Sequence, residues 1–198
     1  MSVRIKICGL TDADSVNAAV AAGVDAVGFV FFEKSPRNLS IGQAIVLAAL
    51  VPDQIARVAV MLHPEAAFCD AVLAGLSPDI VQTDASDFAY LNVPGHIERW
   101  EVLRESAVDA QTRLPKRFVY EGDSSGQGDL VDWQNASCLS AQGEMILAGG
   151  LTPDNVADAI REVRPWAVDV SSGVESAPGE KDRQKIVEFV AAVRAADR

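Results

Sequence analysis

What is scarce in this 198-residue sequence narrows its chemistry before any motif is read. Cysteine occurs three times, at Cys8, Cys69 and Cys138; an odd count without a C-x-x-C pair argues against a disulfide framework or a zinc site. Two histidines leave little from which to build a metal cluster, so no metal is expected. Aromatic residues make up only 6% of a chain that is 49% hydrophobic, so the core must be assembled from small and branched aliphatics. Basic residues number 17 against 28 acidic ones, for a net charge of −11, and no basic run is long enough to follow a phosphate backbone. Nucleic acid is therefore not an expected partner, and an anionic ligand would need a local site working against the overall field. No apolar run approaches the length of a membrane span, and the first residues read as a strand and not as a signal sequence. The expectation is a cytoplasmic protein with no membrane partner. Finally, no G-x-G-x-x-G follows the first strand, which disfavours a dinucleotide-binding sheet.

What is present is a repeating alternation. The opening Val3-Arg4-Ile5-Lys6-Ile7-Cys8 has the period of a strand; Gly9 breaks it, and Thr11-Asp12-Ala13-Asp14 supplies the hydroxyl and carboxylates of a helix start. Strand-like stretches recur at 26–32, 56–62, 79–84, 96–103, 117–121, 145–148 and 166–170. Helical stretches fall at 15–22, 43–50, 64–76, 86–91, 155–163 and 182–195, while 105–115 fits either a short helix or a loop. Regular strand–helix alternation calls for a parallel sheet with right-handed crossovers. Eight units of roughly 25 residues predict a parallel eight-stranded closed (β/α)8, or TIM, barrel: an α/β fold in which residues 1–198 form a single domain. A doubly wound open sheet is the competing architecture.

The carboxyl ends of parallel strands are where such proteins place their chemistry. Arg4, Lys6 and Cys8 share one face of the first strand, which sets a thiol at its end two residues beyond a lysine. Taken alone, Cys8 fits equally a small buried hydrophobe. Asp169 lies on the face opposite Val168 and Val170, so it is expected inside the barrel and in need of a partner. Glu121 ends the sixth strand before a Gly/Ser-rich loop, where a carboxylate is either a proton donor or a solvated rim group. Arg37, between Pro36 and Asn38, is either a bidentate carboxylate clamp or a surface arginine. Gly149-Gly150 and Ser172-Gly173 follow the seventh and eighth strands, the positions at which barrels often bind phosphate through backbone N–H groups.

In order along the chain, Lys6-Ile7-Cys8-Gly9-Leu10-Thr11, Gly28-Phe29-Val30-Phe31 with Ser35-Pro36-Arg37, Leu147-Ala148-Gly149-Gly150-Leu151, Val168 to Glu175 and Pro178-Gly179-Glu180-Lys181-Asp182 resemble the motifs of phosphoribosylanthranilate isomerase, a barrel of tryptophan biosynthesis. The resemblance implies an Amadori rearrangement of N-(5-phosphoribosyl)anthranilate to 1-(2-carboxyphenylamino)-1-deoxyribulose 5-phosphate without cofactor or metal. It implies that Cys8 is the general base, with Lys6 on its face favouring the thiolate. Arg37 would hold the anthranilate carboxylate, Asp169 the amine or sugar, and the backbone around Gly149, Gly150, Ser172 and Gly173 the phosphate. The family's acid, an aspartate ending strand six, falls here on Glu121, with Asp123 as the fallback. The family's Q-L-H-G after strand four reads Gln82-Thr83-Asp84-Ala85, which places Gln82 and Asp84 at the substrate rim. The expected partner is a small phosphorylated aminosugar, bound by a monomer or a homodimer. Two alternatives stand beside this reading. One is the two-fold repeated histidine-pathway isomerase, disfavoured by the short chain and the cysteine. The other is a catalytically silent or altered-substrate phosphate-binding barrel, for which the changes at Glu121 and Asp84 speak.

Overall fold

In the computed structural model, which describes residues 2–108, 112–123, 128 and 130–196, eight parallel strands close on themselves. They are β1 (Arg4–Cys8), β2 (Ala26–Phe31), β3 (Ala56–Met61), β4 (Ile80–Asp84), β5 (Glu98–Arg104), β6 (Arg117–Glu121), β7 (Glu144–Leu147) and β8 (Ala167–Val170), with β8 pairing back to β1. The closing register sets Lys6 beside Asp169 on one side and Cys8 beside Gly28 on the other.

Alternation along each strand divides the apolar residues into two layers. Ala26, Val58, Ile80, Trp100, Val119, Ile146 and Ala167 fill the barrel interior. Ile5, Ile7, Phe29, Val81, Phe118, Leu147 and Val168 face outward, into a larger core under the helices. Those helices are α1 (Ala13–Ala22), α2 (Ile41–Ala48), α3 (Ala66–Leu76), α4 (Trp133–Ser140), α5 (Val156–Val163) and α6 (Arg183–Ala196). Their starts follow the sequence chemistry. Asp12 accepts the Ser15 N–H at 2.8 Å, Ser40 and Gln43 form a reciprocal capping box, and Asp132 accepts the N–H groups of Gln134 and Asn135. None of the described helices is long and apolar enough to cross a membrane.

Three elements differ from expectation, the first being α4, which was not among the expected helices. The stretch expected as a helix at 86–91 is a 3-10 turn over Ala85–Ala89. The Asp87 carboxylate accepts hydrogen bonds from Thr83 Oγ1 (2.5 Å) and from the His63 N–H (3.1 Å), so a short Ser/Asp segment satisfies local groups in place of a helix. After β5 only Glu105–Ala107 is helical, again as a 3-10 turn, and the middle of 105–115 lies outside the described residues. The loop after β8, expected as irregular, contains a hairpin of β9 (Glu175–Ala177) and β10 (Glu180–Lys181) turning at Pro178-Gly179. Gly179 has φ +87°, and a Cβ there would stand 2.6 Å from the Pro36 carbonyl oxygen, so glycine lets the hairpin lie against the loop after β2.

The amino-terminal end of the barrel is shut. Trp166 is stacked by Arg4 and Arg117, whose guanidinium carbons lie 4.3 and 3.9 Å from its ring centroid, and it meets Trp100 edge-on at 6.3 Å. The carboxyl end is open.

Candidate active site

A cavity of about 950 Å³ occupies the open end. Cys8, Arg37, Gln82, Glu121, Asp123, Gly149, Gly150, Asp169 and Ser172 line it. Asp84 and Gly173 do not. Asp84 stands behind Arg104, and Gly173 packs so closely that a Cβ would meet the Leu151 carbonyl oxygen at 1.9 Å. The expectation that these two face the ligand is therefore corrected: Asp84 is screened by a guanidinium, and Gly173 is the glycine that lets the loops after β7 and β8 touch.

Lys6, buried on the inner face of β1, donates to Asp169 Oδ2 at 2.6 Å across the strand pair. Burial opposes the ammonium, but the attraction of Asp169 and then of Cys8 holds its pKa above the ordinary lysine value. The second oxygen of Asp169, Oδ1, is buried without a hydrogen-bond partner, as is Oε1 of Gln82. Both residues line the cavity, as Cys8 does. Burial pushes the Cys8 thiol above its usual range; Lys6 and Lys181 pull it down, and Asp169 adds to the rise. Lys6 favours the thiolate, as expected, but the cost of burial outweighs it. Gly28, across from Cys8, leaves the thiol its room: a Cβ there would lie 3.0 Å from Sγ and 3.2 Å from Lys6 Cε.

Arg37 is on the cavity wall, but its Nε and Nη2 donate to Glu175 at 2.7 and 2.8 Å. The fork expected to clamp a ligand carboxylate is held by a carboxylate of the protein's own. Gly9, at φ +75°, makes room for it, since a Cβ would strike Arg37 Cδ at 2.4 Å. Glu175 also accepts from Lys181 Nζ (2.6 Å) and the Gly179 N–H (3.3 Å). Despite burial, the hydrogen bonds from Arg37 and Lys181 hold its carboxyl below the usual range. The fully buried Lys181 reaches on to Ser171, whose hydroxyl donates to the Cys8 carbonyl at 3.1 Å. Sequence reading assigned no role to Glu175 or Lys181. The available signal was a glutamate and a lysine flanking a Pro-Gly turn, the pattern of a cross-strand ion pair.

At the far wall, Glu121 ends β6 and receives Arg104 Nη1 at 3.1 Å; Arg104 in turn donates through Nε (3.1 Å) and Nη2 (2.5 Å) to Asp84 Oδ1. Arg104, in register beside Glu121, was not anticipated either. Asp123, the fallback acid, is solvent-exposed and accepts from the Ser106 hydroxyl and N–H, which hold its carboxyl below the ordinary value.

The remaining wall is backbone. Gly149 and Gly150 have φ of +91° and +62°, and a Cβ on Gly150 would stand 2.9 Å from the Gly128 carbonyl oxygen. Asn155 fastens this turn, accepting the Thr152 N–H and donating to the Gly150 carbonyl. Most of the loop expected to cover the ligand, residues 124–127 and 129, lies outside the described residues. Among the described residues no three His, Cys, Asp or Glu side chains gather as metal ligands.

Over residues 5–192 the chain matches the family of N-(5'-phosphoribosyl)anthranilate (PRA) isomerase. The chain belongs to it. The N-(5'-phosphoribosyl)anthranilate isomerase of Thiobacillus denitrificans is 42% identical, over 98% of this chain and 100% of that protein. The crystal structure of TrpF from Jonesia denitrificans superimposes with a TM-score of 0.80 at 36% identity, covering 98% of both chains. A phosphoribosyl anthranilate isomerase solved in complex with reduced 1-(o-carboxyphenylamino)-1-deoxyribulose 5-phosphate superimposes with a TM-score of 0.78 at 28% identity, over 98% of this chain and 99% of that one. Like its relatives, this member of the phosphoribosylanthranilate isomerase family is an eight-stranded barrel and an isomerase of tryptophan biosynthesis.

Proposed function

We propose that Cys8 and Glu121 are the base and acid with which this isomerase converts N-(5-phosphoribosyl)anthranilate to 1-(2-carboxyphenylamino)-1-deoxyribulose 5-phosphate. The single observation that carries this reading is that both line one cavity whose remaining walls suit the other parts of such a substrate. Glu121 gives a proton to the furanose ring oxygen; the C1–O bond breaks, and the nitrogen lone pair makes a cationic C1=N bond. Cys8, as thiolate, takes the proton from C2, and the C–H electrons form a C1=C2 bond that neutralises the iminium. The resulting enol gains a proton at C1 and loses that of its hydroxyl, leaving the ketone. No redox partner is needed. The resting thiol first loses its own proton to water; the iminium, a cation beside Cys8, favours that loss by offsetting the burial that raises the thiol pKa.

The orphan Oδ1 of Asp169 accepts from the substrate's amine or a sugar hydroxyl, and Gln82 borders the same place. The anthranilate carboxylate meets Arg37 at its Nη end, with the Nε–Nη2 edge braced by Glu175. The phosphate sits between the turns at Gly149-Gly150 and Ser171-Ser172. Every residue in this scheme comes from one chain, so a monomer suffices and a homodimer would carry two complete sites. The three free thiols suit the cytoplasm.

The test is to follow the loss of anthranilate-type fluorescence when freshly made phosphoribosylanthranilate meets the purified protein, with Cys8→Ser as the control. Decay faster than the spontaneous rate in the wild type alone is expected. A folded wild-type sample that adds nothing to the spontaneous rate would sink the reading in favour of a silent or altered-substrate barrel.

A further inference from the structure

The two rim positions at which this chain departs from its family's motifs, Asp84 and Glu121, are joined by one side chain. Arg104 leaves the end of β5 between them. Its Nε and Nη2 converge on a single oxygen of Asp84, which fixes the plane of the guanidinium. In that plane Nη1 is aimed at Glu121 Oε2 (3.1 Å) and at the Gly122 carbonyl (3.3 Å). All three side chains are largely covered, at 15–17% exposure, so the contacts are not loose surface pairs. Asp84 is itself steadied from outside, with His63 Nε2 3.5 Å from its second oxygen and the other ring nitrogen held by Asp87.

We propose that Arg104, aimed by Asp84, is a positioning residue that orients the carboxyl group of Glu121 for proton delivery. This rests on the reading of Glu121 as the acid. A glutamate reaches the cavity through one more methylene than an aspartate and has one more rotatable bond to be fixed. Arg104 holds Oε2 and so restricts the rotation of the Glu121 carboxyl group. A misplacement of about 1 Å at such a group costs on the order of 100-fold in rate. Asp84 contributes only through Arg104, consistent with its absence from the cavity wall.

The experiment is steady-state kinetics on phosphoribosylanthranilate for Glu121→Gln, Arg104→Met, Arg104→Lys, Asp84→Asn and the pairwise combinations. If Glu121 is the acid, Glu121→Gln lowers kcat by roughly 100-fold or more; a near-normal rate there would refute the acid assignment, whatever Arg104 does. With that loss in hand, Arg104→Met is expected to lower kcat by roughly 10- to 100-fold while KM moves by less than about 3-fold. Arg104→Lys, which keeps the charge without the planar fork, should recover part of the loss. Adding Asp84→Asn to Arg104→Met, or Arg104→Met to Glu121→Gln, should change kcat little, because each acts through the next. Penalties that multiply, or a kcat for Arg104→Met within about twofold of wild type, would overturn the positioning role. Should Arg104→Met fail to fold, Arg104→Lys decides: a reduced kcat at unchanged KM supports the proposal, and an unchanged kcat refutes it.

Discussion

At the scale of single residues, Cys8 shows how closing the barrel keeps a thiol protonated. A thiol with the barrel wall around it and an aspartate nearby has little reason to ionise, even with two lysines close at hand. Thiolate is the reactive species, so a raised pKa means that Cys8 resists alkylation at neutral pH and yields only as the pH climbs above the ordinary thiol range. Mass-spectrometric mapping after iodoacetamide should find the exposed Cys138 modified first and Cys8 only in alkaline buffer. Rapid labelling of Cys8 at pH 7 would contradict the environment described here. The position of this thiol was legible, since a cysteine ending an alternating strand must point where Lys6 points. Its ionisation was not, because that depends first on burial within the closed barrel and then on the balance between Lys6 and Asp169, which is 161 residues from Cys8 in sequence.

At the scale of elements, the β9–β10 hairpin does what no strand of the barrel could do alone. It carries Glu175 and Lys181 to the back of Arg37 and, through Ser171, to the end of β1. Glu175 has its carboxyl held below the usual range by Arg37 and Lys181. A depressed carboxyl pKa adds stability that is fully present above the unfolded value, about 4.3, and is lost as pH falls through the folded one. Glu175→Gln should therefore lower stability by about 3 kcal/mol near pH 7, where it leaves two buried cations without their carboxylate. The gap between its melting temperature and that of the wild type should narrow as the pH drops below 4; a gap independent of pH would show that the charge is not what matters. The main strands were readable from alternation and turn residues, whereas the hairpin was hidden in a seven-residue run whose strands are too short for periodicity to declare itself. The 3-10 turn at Ala85–Ala89 escaped for a related reason, its backbone being settled by an Asp87 that answers to His63 and Thr83.

At the scale of the whole molecule, the barrel separates what holds it together from what works. Trp166 and its two arginines belong to the closed end and touch nothing in the cavity. Trp166→Ala should cost about 2–3 kcal/mol, the lower part of the range for removing a large aromatic because the ring is only partly covered. Turnover below the melting transition should be unchanged, and a large fall in kcat at 25 °C would show that the two ends are not independent. Eight repeats of strand and helix announced this architecture from spacing alone. The pairings across the mouth, such as Arg104 with Asp84, required the closed ring to become visible.

The hairpin's grip on Arg37 also sets an order of completion. Arg37 leaves the ribosome early, but Glu175 and Lys181 follow some 140 residues later. A nascent chain can assemble most of its strands and still hold an arginine with nothing behind it. That wall of the cavity is thus finished only after Glu175 and Lys181 have been made, so a chain cut short before Glu175 would lack the brace behind Arg37 even where its earlier strands had formed.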